Sequence, residues 1–157
     1  SKISIDIDKI IQLIGITGIV GSLLFVGLEM RQTQKIAIAG QQQDRSAMGI
    51  TLIKSFNERG VDFTSVLGQN NHNLKLSSTE ITHRNGVQIA WFLAENDYYQ
   101  YSQGLMNEDV WMAKITTNLE AITALCSLKP LLDTRLPSFP AELQSIFVEF
   151  PDACPQD

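Results

Sequence analysis

The stretch IIQLIGITGIVGSLLFVGL, Ile10 to Leu28, runs for 19 residues without a charge between Lys9 and Glu29. Twelve of its residues are Ile, Leu, Val or Phe. On an insertion scale these favour the bilayer by roughly 4 to 7 kcal/mol before polar corrections. A helix of this length rises roughly 28 Å, close to the thickness of a hydrocarbon core. The stretch is therefore read as one transmembrane helix, and the rest of the chain is built around it. A cleaved signal peptide fits less well. Its n-region would be basic, whereas Lys2 and Lys9 here alternate with Asp6 and Asp8, and the A-x-A-like Ala37-Ile38-Ala39 lies well past the apolar run. A buried core helix is the other alternative, because four glycines and Gln12 dilute the hydropathy.

Gly15, Gly18 and Gly21 recur every third residue, with Thr17 four before Gly21 and Ser22 four after Gly18. Small residues at these spacings open a groove in which a second helix backbone can approach closely. Gly15, Thr17, Gly18, Gly21 and Ser22 are thus the expected helix-packing interface. Orientation follows from Lys and Arg near the ends of the span. Lys2 and Lys9 precede it, and Arg31, Lys35 and Arg45 follow. The count favours an outward N-terminus and a cytoplasmic C-terminal domain, by one charge.

About 129 residues follow the span, enough for one domain with a single core. Net charge is −5 and unevenly placed: Arg31 to Arg84 carries seven basic and four acidic residues, Asn85 to Asp157 three and ten. That balance argues against nucleic acid, whose phosphates need clustered Lys and Arg. The two cysteines, Cys126 and Cys154, form no C-x-x-C pair. A cytoplasmic domain would keep both as thiols; an exported one could pair them.

Helical spacing dominates the remainder, and the expected fold is all-α. A short N-terminal tail (1–9) leads into the membrane helix (10–28). This continues into a helical stalk (29–59) closed by Gly60, with Gly40 and Gly49 as places where it could hinge. A small antiparallel bundle with a Pro-containing tail occupies 60–157. Within the bundle, Asp62 to Leu67 reads as a short helix. Ser77 and Glu80 form a capping box opening a helix that Gly104 closes. Val87, Trp91, Ala94, Tyr98, Tyr101 and Leu105 make one buried stripe on it. Asn107 opens a second helix through Leu128, ended by Pro130, with Trp111, Ile115, Leu119, Ile122 and Cys126 on one face. A last helix spans about Pro140 to Phe150.

Glu29-Met30-Arg31-Gln32-Thr33 after the anchor is followed by Ala94-Glu95-Asn96-Asp97-Tyr98-Tyr99-Gln100-Tyr101, Gly104-Leu105 and Glu108-Asp109-Val110-Trp111. Together these motifs, covering most of residues 10–112, resemble a bacterial group of small single-pass membrane proteins of unknown function. The resemblance implies an anchor in the inner membrane and a helical cytoplasmic domain. It transfers no activity.

Candidate chemistry is sparse. Glu80 and His83 give a single E-x-x-H, where a di-iron bundle needs two pairs and two further glutamates. His72 lies in an Asn-rich loop. Glu95, one turn beyond Trp91, could be a partly buried carboxylate, or it could accept a hydrogen bond from a tyrosine or indole and lock the two central helices together. No Ser-His-Asp, Cys-His or Gly-rich phosphate loop accompanies it, so no catalytic, cofactor-binding or metal-ligating residue is assigned. Tyr99 lies off the buried stripe and is the expected partner-facing aromatic. The reading that follows is a non-enzymatic accessory subunit, packed by its Gly-rich helix against other membrane subunits or itself. A tethered sensor or regulator is the first alternative. An enzyme with a site near Glu95 is the second.

Overall fold

The computed structural model describes residues 6–67, 74–123 and 126–149. It is all-helical, with no strand among those residues. The chain divides into two compact units, 1–38 and 39–157. One helix, α1 (Ile7–Glu58), supplies the described part of the first unit and opens the second.

In the first unit every described residue is exposed. The apolar segment is long enough to cross a membrane, and none of it is buried within the chain. The hydroxyls of Thr17 and Ser22 donate to the carbonyls of Leu13 and Gly18, each at 2.8 Å. Neither is left as a bare polar group on a surface suited to lipid.

The second unit begins at Ala39 rather than at residue 60. The distal half of the expected stalk is thus the first helix of the bundle. Ala39, Ser46 and Ile53, seven apart and so on one face of α1, are all buried. Nor is Gly49 a hinge: α1 runs unbroken through it, and a Cβ there would stand 2.7 Å from the Phe92 ring. Glycine at 49 lets that ring lie against the backbone.

Both helix stops expected at glycines are present. Gly60 (φ +65°) and Gly104 (φ +71°) take the left-handed conformation that a Cβ disfavours. At each, paired bonds close the helix: Gly60 N–H to Asn57 O and Val61 N–H to Phe56 O, then Gly104 N–H to Tyr101 O and Leu105 N–H to Gln100 O. α2 (Phe63–Leu67) starts one residue later than expected, with the Asp62 carboxylate accepting from the Ser65 N–H at 2.8 Å. α3 (Ser78–Ser102) opens on the Ser77/Glu80 capping box. The Ser77 bonds hold the Glu80 carboxyl below its ordinary value, because they favour the charged acceptor.

α4 (Glu108–Thr123) returns antiparallel to α3: Tyr101 stacks on Trp111 at 5.9 Å, and Asp97 accepts from Lys114 at 2.9 Å. The expected continuation to Leu128 is corrected. A 3₁₀ turn (Cys126–Leu128) leads into a separate helix, α5 (Lys129–Arg135), with Pro130 in its first turn rather than at an end. A proline lacks an N–H that the first turn does not use, so it starts a helix as readily as it stops one. After a second 3₁₀ turn (Leu136–Ser138), α6 (Ala141–Glu149) completes the fold.

The core joins Val87, Trp91 and Ala94 of α3 to Trp111, Ile115 and Leu119 of α4, and to Leu131, Phe139, Leu143 and Phe147. Trp91 is fully buried, with the Phe139 and Phe147 rings 5.5 and 4.9 Å away. Tyr98 and Tyr101 pack against this core half-buried, but Leu105, expected on the stripe, is exposed because the chain turns at Gly104. Cys126, placed on the buried face by its spacing, is also exposed. The side chain of Ile122, the His72 loop, Cys154 and the proline-containing tail lie outside the described residues.

Candidate functional site

Two places hold the sequence-expected site residues: the glycine face of the first unit, and the polar side of α3 in the second.

On the membrane segment, nothing lies within 4 Å of a Cβ built on Gly15, Gly18 or Gly21. Successive steps of three keep the three glycines within about one-third of the helix circumference. Thr17 and Ser22 flank them with their hydroxyls turned back onto the helix carbonyls. This surface is smooth, close to the backbone and uncovered.

On α3, Glu95 is half-buried and paired with Arg135, whose Nη2 donates to Oε2 at 2.9 Å. Nothing in the spacing of residues points to this partner, which lies 40 residues away. Arg135 also donates from Nη1 to Gln88 Oε1 at 3.0 Å and lies 4.3 Å over the Phe92 ring. One guanidinium thus ties α5 to three residues on successive turns of α3. Its planar fork suits that task better than a lysine would. Glu95 does hold a helix, but not as expected: its partner is an arginine on α5 instead of a tyrosine or indole joining the two central helices.

Beside this pair, Gln42 of α1, Glu95, Tyr98 and Tyr99 of α3, and Pro140 before α6 line a cavity of about 240 Å³. Tyr98 donates its hydroxyl to Glu142 in a short hydrogen bond. Burial, then that bond and the Glu142 charge, push the Tyr98 phenol up to about 12, so it remains a donor across the physiological range. Tyr99 is half-buried and takes no part in the core.

A third polar cluster sits where α1, α2 and α3 meet. The Arg84 guanidinium donates to both Asp62 oxygens, at 3.0 and 3.1 Å, with both side chains nearly excluded from water. Burial raises the Asp62 carboxyl, but bonds from Arg84 and Ser65 outweigh it and hold the group below its ordinary 3.8. Alongside, buried Asn85 accepts from the Phe63 N–H at 2.9 Å and donates to Val61 O at 2.9 Å. These bonds fix the short link between α1 and α2 and leave little chemical freedom. Glu80 is committed to its cap and His83 is exposed. No group of three or more metal-capable side chains occurs among the described residues.

Cys126 is disulfide-bonded, and no described cysteine is a thiol. The chain has one other cysteine, Cys154.

Compared with protein-family models, with curated proteins and with solved structures, the chain matches none.

Proposed function

We propose that this chain is a non-enzymatic accessory subunit of a membrane complex, a bacterial single-pass protein whose glycine face packs against a partner's membrane helix or a second copy of itself. The observation that carries the reading is the uncovered backbone at Gly15, Gly18 and Gly21 within a fully exposed apolar segment. Each glycine in a helix interior costs about 1 kcal/mol against alanine. A facing backbone at close range recovers that cost through dispersion contacts; lipid tails do not. The aliphatic remainder of the segment suits it to lipid on its other sides.

The test is gentle solubilisation of the native membrane followed by native mass measurement. A defined partner or a self-oligomer is expected, and Gly18→Ile, which fills the groove, is expected to release it. A lone monomer whose cellular behaviour Gly18→Ile leaves unchanged would end the proposal.

For orientation, the Lys and Arg count favours a cytoplasmic bundle by a single charge. The Cys126 disulfide weighs in the other direction, since reducing systems keep cytosolic thiols unpaired. An oxidising compartment would account for that bond, and against the single-charge margin we favour the bundle on that side of the membrane, with the N-terminus inside. In cells quenched with acid and then treated with a maleimide-polyethylene glycol, no adduct is expected before reduction and two after it. Two adducts without reductant would return the bundle to the cytoplasm.

A further inference from the structure

The cavity between α1, α3 and the start of α6 has a composition of its own. We propose that it binds a small organic cation, an ammonium group seated between Glu95 and the rings of Tyr98 and Tyr99. None of its five lining residues is cationic, one is a carboxylate and two are phenols. A cavity of about 240 Å³ falls just below the range that takes drug-sized molecules, so its ligand is a small one.

Three features give the cavity its preference. First, Glu95 is held in place by Arg135 through Oε2 alone, leaving Oε1 available to a ligand, and Arg135 is not among the lining residues. The arginine therefore orients the carboxylate without occupying the cavity. Second, Tyr98 donates its hydroxyl to Glu142, which draws negative charge toward the phenol and strengthens its ring face as a cation acceptor. With Glu142 bonded to the Tyr98 hydroxyl and Glu95 to Arg135, these three ionised groups together carry one net negative charge. Third, Tyr99 is a half-buried aromatic that the core does not use, which leaves its ring for an occupant. Along the sequence from Asn85 onward, acidic residues outnumber basic ones ten to three, a balance that favours cations over anions as ligands. Aromatic rings with a carboxylate are the chemistry by which quaternary and primary ammonium groups are recognised.

The experiment uses the full chain in a maltoside detergent, which contains no ammonium group. Saturation-transfer NMR follows tetramethylammonium, with ethylammonium as competitor and tert-butanol as the uncharged comparison. Transfer to the tetramethylammonium methyls is expected, displaced by ethylammonium and not by tert-butanol. Tyr99→Leu, which leaves the core and the Arg135 pair intact, is expected to weaken binding about tenfold. Glu95→Gln is expected to weaken it further, and its thermal melt shows whether loss of the Arg135 pair has disturbed the fold. Absence of transfer, equal transfer to tert-butanol, or unchanged affinity in Tyr99→Leu would each overturn the assignment. None of these outcomes bears on whether the glycine face has a partner.

Discussion

Replacing Asp62 with alanine is expected to lower the stability of the helical domain by about 3–5 kcal/mol, the range for removing one half of a buried ion pair. The side chains of Asp62 and Arg84 are 4% and 12% exposed, so Arg84 would be left charged, desolvated and without its acceptor. The same carboxylate holds the first turn of α2 through the Ser65 N–H and hydroxyl, at 2.8 and 2.6 Å, so the cap goes with the charge. Urea denaturation of the solubilised protein measures the loss. Asp62→Leu combined with Arg84→Leu should recover part of it, because no uncompensated charge remains. A single Asp62→Ala variant with an unchanged midpoint would show that the pair contributes nothing. The pH dependence has a definite sign. The folded carboxyl titrates below its ordinary 3.8, so its stabilisation is complete above that value and is lost as pH falls through the folded one. Between neutrality and about pH 5 this group contributes no slope, and Asp62→Ala should remove part of the wild-type loss at lower pH.

Trp91→Ala is expected to cost a comparable 3–5 kcal/mol, the usual range for emptying a large aromatic site. Against a typical domain stability of about 5–15 kcal/mol, that leaves a substantial unfolded fraction, visible as rapid pulse proteolysis. Trp91→Phe should be far milder. The buried indole Nε1 has no hydrogen-bond acceptor, and removing an unsatisfied donor offsets part of the volume lost. An alanine variant as protease-resistant as the wild type would mean that Phe139 and Phe147 do not depend on this ring for their packing.

What the sequence disclosed and what it hid divide along one physical line. Features written in adjacent residues were legible: the Ser77/Glu80 box, the glycine stops at 60 and 104, and the stripe of Val87, Trp91 and Ala94. Each depends on local geometry that a few residues determine. Features that need a distant partner were not. Ala39, Ser46 and Gly49 are small and carry no amphipathic signal; only the burial of Ala39 and Ser46, and the approach of Phe92 to Gly49, shows that this part of α1 is packed. α5 was hidden because Pro130 reads equally well as the end of one helix or the first turn of the next. Glu95 stands out in the sequence, but its lock is an arginine on a helix the sequence does not announce. The cavity follows the same rule: Tyr99 was legible, whereas Gln42 and Pro140 join it only through the fold.

The closure of the core around Trp91 also has a timetable. Its indole is sealed by Phe139 and Phe147, 48 and 56 residues further along the chain. At a synthesis rate of about 5–20 residues per second, the last of these arrives roughly 3 to 11 s after the tryptophan. Helix–coil relaxation takes on the order of a microsecond, so α3 can be helical long before its apolar side has anything to rest on. During those seconds the anchor has already been made while the domain behind it stays sticky, and that interval is when a nascent-chain chaperone has most to protect.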